Sequence, residues 1–143
     1  MDLELKSKSL RDTNKIAKKI ARMLHHGDVV CLSGDLGAGK TTFTKALLSI
    51  MGVKEVVASP TFTIAKEYRV KRGVIYHLDL YRIENDLELV EIGFQEMLDT
   101  ACLVVVEWPD IAKGYLDQRN VISVSITFDD AGNRIFNIEG VMK

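Results

Sequence analysis

The sequence has no large excess of charge of either sign. Its 19 lysine and arginine residues are balanced by 20 aspartate and glutamate residues, which leaves a formal net charge of −1. A protein that holds a polyanion by itself usually carries a clearly positive field. The composition therefore argues against direct, unaided binding of nucleic acid.

Cysteines are few, and long apolar runs are missing. Cys31 and Cys102 each lie in or beside an apolar run, where a thiol usually behaves as a small buried hydrophobe. Residues 1–4 lack the pattern of a signal peptide, and no apolar run approaches the ~20 residues that span a bilayer. We expect reduced core thiols, no membrane contact and a cytoplasmic location.

The chain does have enough apolar material for a folded core. Hydrophobic residues make up 47% of its 143 residues. A chain of this size buries about two thirds of the surface that its unfolded state exposes. Because no repeat, linker or low-complexity tract interrupts it, we predict a single domain over residues 1–143.

Helix and strand patterns alternate along the sequence. Apolar residues at helical spacing predict helices over about residues 10–26, 41–51 and 86–98. Apolar, β-branched or alternating runs predict strands at residues 29–32, 56–58, 62–70, 74–78, 102–106, 121–128 and 135–139. This order predicts an α/β protein with a mostly parallel central sheet, helices on both sides and antiparallel C-terminal strands.

Two of the predicted helices carry charged outer faces. Ser9 with Asp12, and Asn85 with Glu88, have the spacing of N-terminal capping boxes. The first helix has a basic stripe, and the 86–98 helix has an acidic face opposite an expected inward stripe of Leu87, Val90, Phe94, Met97 and Leu98. Each charged face is either simply solvated or a docking surface, and the sequence leaves both open.

The strongest functional signal is a phosphate-binding loop. Residues 34–41, GDLGAGKT, match G-x-x-x-x-G-K-[ST] between a predicted strand and a predicted helix, which predicts a P-loop NTPase-like fold. Its glycines let backbone N–H groups face phosphate oxygens, and the helix adds its positive end. We assign Lys40 to the β- and γ-phosphates and the Thr41 hydroxyl to magnesium. The nucleotide-binding residues predicted here are Gly34, Asp35, Leu36, Gly37, Ala38, Gly39, Lys40, Thr41 and Thr42.

Two acids follow predicted strands and can serve this loop. Glu107 ends the 102–106 run and is predicted to help hold magnesium, together with Thr41. Asp79 follows the 74–78 strand and is predicted to orient a water molecule, although a surface aspartate at a strand end remains the alternative. The residues predicted to take part in catalysis are Lys40, Thr61, Asp79 and Glu107.

Three further residues near these motifs carry open interpretations. Thr61 lies in the SPTFT segment at residues 59–63, which is either a switch loop or an inert turn. Trp108 either packs in the core or presents its ring to a nucleotide or partner. His77 lies inside a strand and is interpreted as structural, because the histidines and cysteines share no spacing typical of a metal site.

Four motifs in this order resemble the TsaE (YjeE) family over nearly the whole chain. They are GDLGAGKTT at residues 34–42, SPTFT at 59–63, HLDLYR at 77–82 and EWP at 107–109. The sequence departs from the family pattern at Tyr115-Leu116-Asp117, where a proline is expected after the leucine. That departure affects the shape of a loop outside the phosphate site.

The resemblance implies an ATPase that binds ATP and Mg²⁺ and works with the TsaD and TsaB proteins. Together these proteins form the threonylcarbamoyl group on the adenosine next to the anticodon of certain tRNAs, so tRNA is expected to be met only through the complex. The matching motifs imply the roles given above for Lys40, Thr41, Thr61, Asp79 and Glu107, with Trp108 in a functional position. The nucleotide-base pocket of the family implies Arg11, Thr13 and Arg134 as further contacts.

Two other classes of function share these residues. A small P-loop kinase would have the same loop, but its lid usually brings several arginines to the transferred phosphate, and here the arginines are scattered. A non-hydrolysing regulator would bind nucleotide with the same side chains. A GTPase is disfavoured because no N-K-x-D motif follows the loop. With no arginine clearly placed to assist, we expect the isolated protein to hydrolyse ATP slowly.

Overall fold

Seven strands of this protein form one mixed sheet. The computed structural model describes residues 2–35, 37–58 and 64–141. The strands are β1 (Asp2–Ser7), β2 (Asp28–Ser33), β3 (Ala65–Val70), β4 (Gly73–Asp79), β5 (Leu103–Glu107), β6 (Val121–Phe128) and β7 (Arg134–Val141). The helices are α1 (Leu10–Met23), α2 (Lys40–Ile50), α3 (Leu87–Glu91), α4 (Phe94–Thr100) and α5 (Lys113–Leu116), and a 3₁₀ turn covers Pro109–Ala112.

The centre of the sheet is parallel and its two edges are antiparallel. The strand order is β1-β7-β6-β2-β5-β4-β3, and the pairs β6–β2, β2–β5 and β5–β4 are parallel. The remaining pairs, β4–β3, β6–β7 and β7–β1, are antiparallel. Every residue of β5, and every residue of β2 before Ser33, is buried, as expected for strands covered on both faces. The predicted α/β class is confirmed.

Helices cover both faces of this sheet. On one face, α1 and α2 pack over a core that includes Val30 and Leu32 of β2. On the other face, α3, α4 and α5 pack over a core that includes Val29 and Cys31 of the same strand. The central strands are thus held between two apolar layers, and their carboxyl ends meet at one edge, where ligands bind in sheets of this type.

Helix α1 begins as predicted but ends earlier. The Ser9 side chain accepts a hydrogen bond from the Asp12 backbone N–H, and the Asp12 carboxylate accepts from the Lys8 backbone N–H. The helix ends at Met23 rather than near residue 26, because the following residues turn toward β2. The buried Asp28 side chain fixes that turn by accepting from the His25 backbone N–H at 2.8 Å.

The strand predicted at residues 56–58 is wrong. Val56 is 86% exposed and Val57 is buried, but neither belongs to a strand. The run is only three residues long, and its apolar character is accounted for by Val57, which packs in the core without strand pairing. The strand predicted at 62–70 begins at Ala65, and residues 62 and 63 lie outside the described residues. Strand β1, which the sequence analysis missed, pairs with β7.

The helix predicted at residues 86–98 is two short helices. Gly93 has a φ of 73°, a left-handed conformation that ends α3 and begins α4. The break changes which residues face inward, so Leu87 and Val90 are 68% and 65% exposed, whereas Leu89, Phe94 and Leu98 are buried. The predicted capping box is formed only in part. The Glu88 carboxylate accepts from the backbone N–H of Asn85 at 3.3 Å, but the residue before α3 is Asp86, whose side chain makes no capping hydrogen bond.

The C-terminal strands form the hairpin that their alternation predicts. Strand β6 has the predicted bounds, and the Asp129 side chain organises the turn by accepting from the backbone N–H groups of Ala131 and Asn133. The hairpin brings Arg134, the first residue of β7, beside the end of β6. Across the described residues, no helix is long and apolar enough to cross a membrane.

Candidate functional site: a P-loop cavity

The loop after β2 leads directly into α2 at the carboxyl edge of the sheet. Gly39 precedes the helix with φ and ψ of 102° and 18°, and no side chain caps the helix. The first N–H groups of an uncapped helix need an acceptor, and its N-terminus carries partial positive charge. The loop and helix therefore offer donors and a favourable field to an anion such as a phosphate.

Two glycines of this loop leave no room for a side chain. A Cβ on Gly34 would lie 2.8 Å from the backbone oxygen of Ile126, and a Cβ on Gly39 would lie 2.6 Å from Arg134 Nε. Both residues also have positive φ angles, 152° and 102°, which L side chains rarely adopt. The loop thus packs against β6 and β7 so closely that its path depends on these glycines.

Lys40, the first residue of α2, is buried with its ammonium group inside the site. Its side chain is 6% exposed, and its Nζ donates to the backbone oxygen of Gly34 at 2.6 Å. The same nitrogen lies 3.9 Å from the centroid of the Trp108 ring. Burial lowers the pKa of Lys40, while the negative charges of Glu107, Asp79 and, more weakly, Asp35 act in the opposite direction. The cation is held by a carbonyl and an aromatic face.

Asp79 and Glu107 end two neighbouring parallel strands and are paired in register. The Asp79 carboxylate accepts from the Tyr81 backbone N–H at 3.0 Å, which fixes the chain as it leaves β4. Glu107 is buried, and its Oε2 is 2.7 Å from Nε2 of His77. Both acids act electrostatically on Lys40, so the site combines one buried cation with adjacent carboxylates.

These side chains surround one cavity of about 260 Å³. Nine of the described residues line it, and all nine were predicted from the sequence: Gly37, Gly39, Lys40, Thr41, Thr42, Asp79, Glu107, Trp108 and Arg134. Larger cavities of about 340, 330 and 440 Å³ lie elsewhere, and none of them is lined by any of these nine residues. The cavity at the loop is therefore the candidate functional site.

Other predicted site residues lie around the cavity or apart from it. Gly34 and Ala38 shape the loop: the Gly34 oxygen holds Lys40, and the Ala38 oxygen accepts from Arg134 Nε at 3.0 Å. Asp35 is exposed, and its oxygen accepts from the Ala38 N–H at 3.0 Å, which closes the turn. Leu36 and Thr61, with the rest of the 59–63 segment, lie outside the described residues.

Arg11 and Thr13 are not brought to the cavity. Arg11 is exposed in the first turn of α1. Thr13 is 2% exposed, and its hydroxyl is 2.7 Å from the Ser7 hydroxyl in a buried hydrogen bond. Of the three residues suggested for a base pocket, only Arg134 lines the cavity. The roles suggested for Arg11 and Thr13 stay predictions.

Two residues at the site were missed by the sequence analysis. His77, interpreted as structural, contacts Glu107 directly, and Tyr81 packs on Trp108 with ring centroids 5.0 Å apart. His77 and Tyr81 both belong to the HLDLYR segment. His77 precedes Asp79 by two residues, so the side chains of His77 and Asp79 project from the same face of β4. That spacing was a signal that could have found His77.

The oxygen donors at the cavity suit magnesium that arrives with phosphates. Within residues 2–35, 37–58 and 64–141, no three His, Cys, Asp or Glu side chains converge into a metal cage. Magnesium usually keeps several waters and binds through one or two carboxylates together with substrate phosphates. The Thr41 hydroxyl and the Asp79 and Glu107 carboxylates fit that partial set. The negative charge of the two carboxylates also favours a bound cation at the cavity.

Comparison with known proteins gives one consistent result. The family model described as "Threonylcarbamoyl adenosine biosynthesis protein TsaE" matches residues 7–136. The tRNA threonylcarbamoyladenosine biosynthesis protein TsaE of Bacillus subtilis is 40% identical over 132 residues, covering 86% of this chain and 82% of the relative. The protein of the same name from Aquifex aeolicus is 42% identical over 104 residues, covering 71% and 73%.

A solved structure agrees with the sequence comparisons. The match with the crystal structure of Bacillus subtilis YdiB covers 99% of this chain and 87% of the YdiB chain. The TM-score is 0.75 at 34% sequence identity. The likeness extends over the whole sheet and its helices rather than over the P-loop alone.

Proposed function

This chain belongs to the TsaE family of threonylcarbamoyl adenosine biosynthesis proteins, and we propose that it binds and hydrolyses Mg·ATP within that tRNA-modification pathway. The observation that carries the proposal is the cavity in which Lys40, Asp79 and Glu107 meet beside the glycine loop. A buried cation, a helix N-terminus and two carboxylates at strand ends are the parts that a P-loop hydrolase needs.

Binding of ATP would engage the loop first. Backbone N–H groups of the loop and of the start of α2 would receive the phosphate oxygens, as the uncapped helix end favours. Lys40 would leave the Gly34 oxygen and donate to the β- and γ-phosphates. Each such charged hydrogen bond contributes about 1.5–3 kcal/mol. Lys40 would thus exchange the neutral Gly34 carbonyl for an anionic phosphate, and this exchange would favour phosphate ligands.

Magnesium would be held by the Thr41 hydroxyl and, through water, by Glu107. When bound, it supplies positive charge that offsets the charge developing on the transferred phosphoryl group. Asp79, paired in register with Glu107, would orient the attacking water by accepting one of its protons in a hydrogen bond. Arg134, fixed by the Ala38 oxygen, adds a second cation at the edge of the loop.

The partners belong to the same proposal. The TsaE family resemblance implies work with TsaD and TsaB, and the net charge of −1 favours contact with tRNA only through that complex. A cytoplasmic location fits a pathway that modifies tRNA. Slow hydrolysis by the isolated chain, stimulated by the partners, would link each ATP turnover to a step of the assembled complex.

Reconstitution tests this proposal. The purified chain is combined with TsaD and TsaB, tRNA and the substrates of the modification, and formation of the modified adenosine is followed together with ADP release. The Glu107→Ala variant is compared with Glu139→Ala, which removes an exposed acid on β7. Loss of ADP release and of modification in Glu107→Ala alone supports the proposal. If Glu107→Ala loses ADP release but still forms the modified adenosine at the wild-type rate, ATP hydrolysis is not part of the pathway.

A further inference from the structure

The buried His77–Glu107 pair has a geometry that a simple core filler does not need. The His77 side chain is 0% exposed, the Glu107 side chain is 4% exposed, and Nε2 lies 2.7 Å from Oε2. His77 lies opposite Val105 in the register of β4 and β5, so Glu107 is its diagonal neighbour on the adjacent strand. Diagonal neighbours on one sheet face are within reach of long side chains. The contact is therefore built into the strand register.

We propose that His77 is a positioning residue for Glu107. The His77 ring holds one oxygen of the Glu107 carboxylate and leaves the other oxygen to face the magnesium water shell. This inference rests on the proposed function, because it concerns the magnesium role of Glu107. A carboxylate only accepts hydrogen bonds, so Nε2 carries the proton in this contact. Outer partners that orient a ligand in this way commonly change metal affinity or activity by tenfold to a hundredfold when they are removed.

The other ring nitrogen argues against a purely structural histidine. Among the described residues, His77 Nδ1 is buried and has no hydrogen-bond partner. A buried polar atom without a partner costs about 1–3 kcal/mol, and an apolar side chain of similar size would avoid that cost. The imidazole is thus explained by what Nε2 does for Glu107 rather than by packing.

The same contact keeps Glu107 away from Lys40. The charge of Glu107 acts on Lys40, yet among the described residues Lys40 forms no ion pair within 4.0 Å and donates to the Gly34 oxygen instead. Without His77, rotation of the Glu107 carboxylate toward the ammonium would bring two buried opposite charges together. Such a pair would compete with the phosphates for Lys40 and with magnesium for Glu107. His77 therefore keeps both residues available to the ligand.

The test measures the affinity for ATP by calorimetry, with and without magnesium. His77→Leu removes the donor, His77→Asn is too short to reach Glu107, and His77→Gln keeps an N–H donor near the position of Nε2. The exposed His26 provides the control His26→Leu. In wild type, we expect magnesium to strengthen ATP binding. We expect His77→Leu and His77→Asn to lose about tenfold of that strengthening and His77→Gln to recover most of it. The affinity measured without magnesium should fall less than the affinity measured with magnesium, because only the competition for Lys40 acts there.

A double-mutant cycle with Glu107→Gln completes the test. If His77 acts through Glu107, His77→Asn causes no further loss in the Glu107→Gln background. Equal loss of ATP affinity with and without magnesium, or additive effects in the cycle, would overturn the role given to His77. If His77→Leu does not fold, the comparison of His77→Asn with His77→Gln still tests the role given to His77. A wild-type protein that gains nothing from magnesium would overturn the proposed function itself, and this inference with it.

Discussion

The ammonium group of Lys40 lies 3.9 Å from the centroid of the Trp108 ring. Trp108 has a φ of 55°, and its backbone N–H donates to the Leu32 oxygen at 3.3 Å. A left-handed conformation in a bulky residue costs of order 1–3 kcal/mol and is typical of functional sites. The ring lines the cavity instead of the core, which decides between the two interpretations that the sequence left open. Trp108 thus forms part of the wall of the candidate site.

The first prediction follows from Trp108 being the only tryptophan in the chain. If ATP draws Lys40 from the indole face toward the phosphates, tryptophan emission changes on addition of ATP with magnesium. A fluorescence titration measures this change. Lys40→Met serves as the control, because it lacks the cation and keeps an unbranched side chain that is only one atom shorter. If the emission of the wild-type protein does not respond to saturating ATP, the predicted movement of Lys40 away from the Trp108 ring is contradicted.

Removal of the Lys40 ammonium is predicted to weaken ATP binding. Lys40→Ala loses at least one charged hydrogen bond to the phosphates, and each such bond corresponds to about tenfold to a hundredfold in affinity. Calorimetric titration with ATP checks the size of the loss. Lys45→Ala, at an exposed position of the same helix, is the matched control and leaves the affinity unchanged. Equal affinities for the Lys40→Ala and Lys45→Ala variants would remove Lys40 from the phosphate site.

A methyl group at Gly34 is predicted to destabilise the protein. The added Cβ meets the Ile126 backbone oxygen at 2.8 Å, and a backbone atom of a central strand pair cannot easily move. We expect Gly34→Ala to lower the free energy of unfolding by about 1–3 kcal/mol, as measured by urea denaturation. Gly114→Ala, where nothing lies within 4 Å of the new Cβ, is the comparison and is neutral or slightly stabilising. A Gly34→Ala variant as stable as wild type would show that the loop path is adaptable.

The two thiols are predicted to be inert in the folded state. Burial raises the pKa of the Cys31 thiol from 9.0 to about 12, and burial also raises the pKa of Cys102. Because the unfolded thiols ionise above about pH 9 and the folded ones do not, the stability present below pH 9 falls as the pH rises toward 12. Labelling with a thiol reagent at pH 8 is therefore slow until urea unfolds the chain. Fast labelling of the native protein would contradict the burial of both residues.

Much of the site could be predicted from the sequence because its parts are local. The glycine loop, Lys40 and Thr41 are contiguous, and Asp79 and Glu107 each follow a strand that apolar residues identify. Parallel strands necessarily bring their carboxyl ends to one edge, so local patterns were enough to place these residues together. Arg134 was less certain, because its arrival at the loop depends on the hairpin of β6 and β7.

The errors arose where a tertiary contact or one glycine decides the structure. The left-handed Gly93 interrupts a helical pattern that otherwise continues, so Leu87 and Val90 point outward. The apolar run at residues 56–58 contributes Val57 to the core but forms no strand. Strand β1 alternates as a strand should, but six residues before a helix become a strand only because β7 offers a partner edge. The His77–Glu107 contact likewise depends on register between two strands.

The most direct test of the account follows the γ-phosphate of ATP. The purified chain is incubated with magnesium and γ-labelled ATP, alone and with TsaD and TsaB, and the labelled products are separated over time. The account predicts slow release of inorganic phosphate, faster with the partners and lost in both Lys40→Ala and Glu107→Ala. Label that appears on a small acceptor would indicate a kinase. ATP that binds but stays intact with the partners present would indicate a regulator, and either result would contradict hydrolysis at this site.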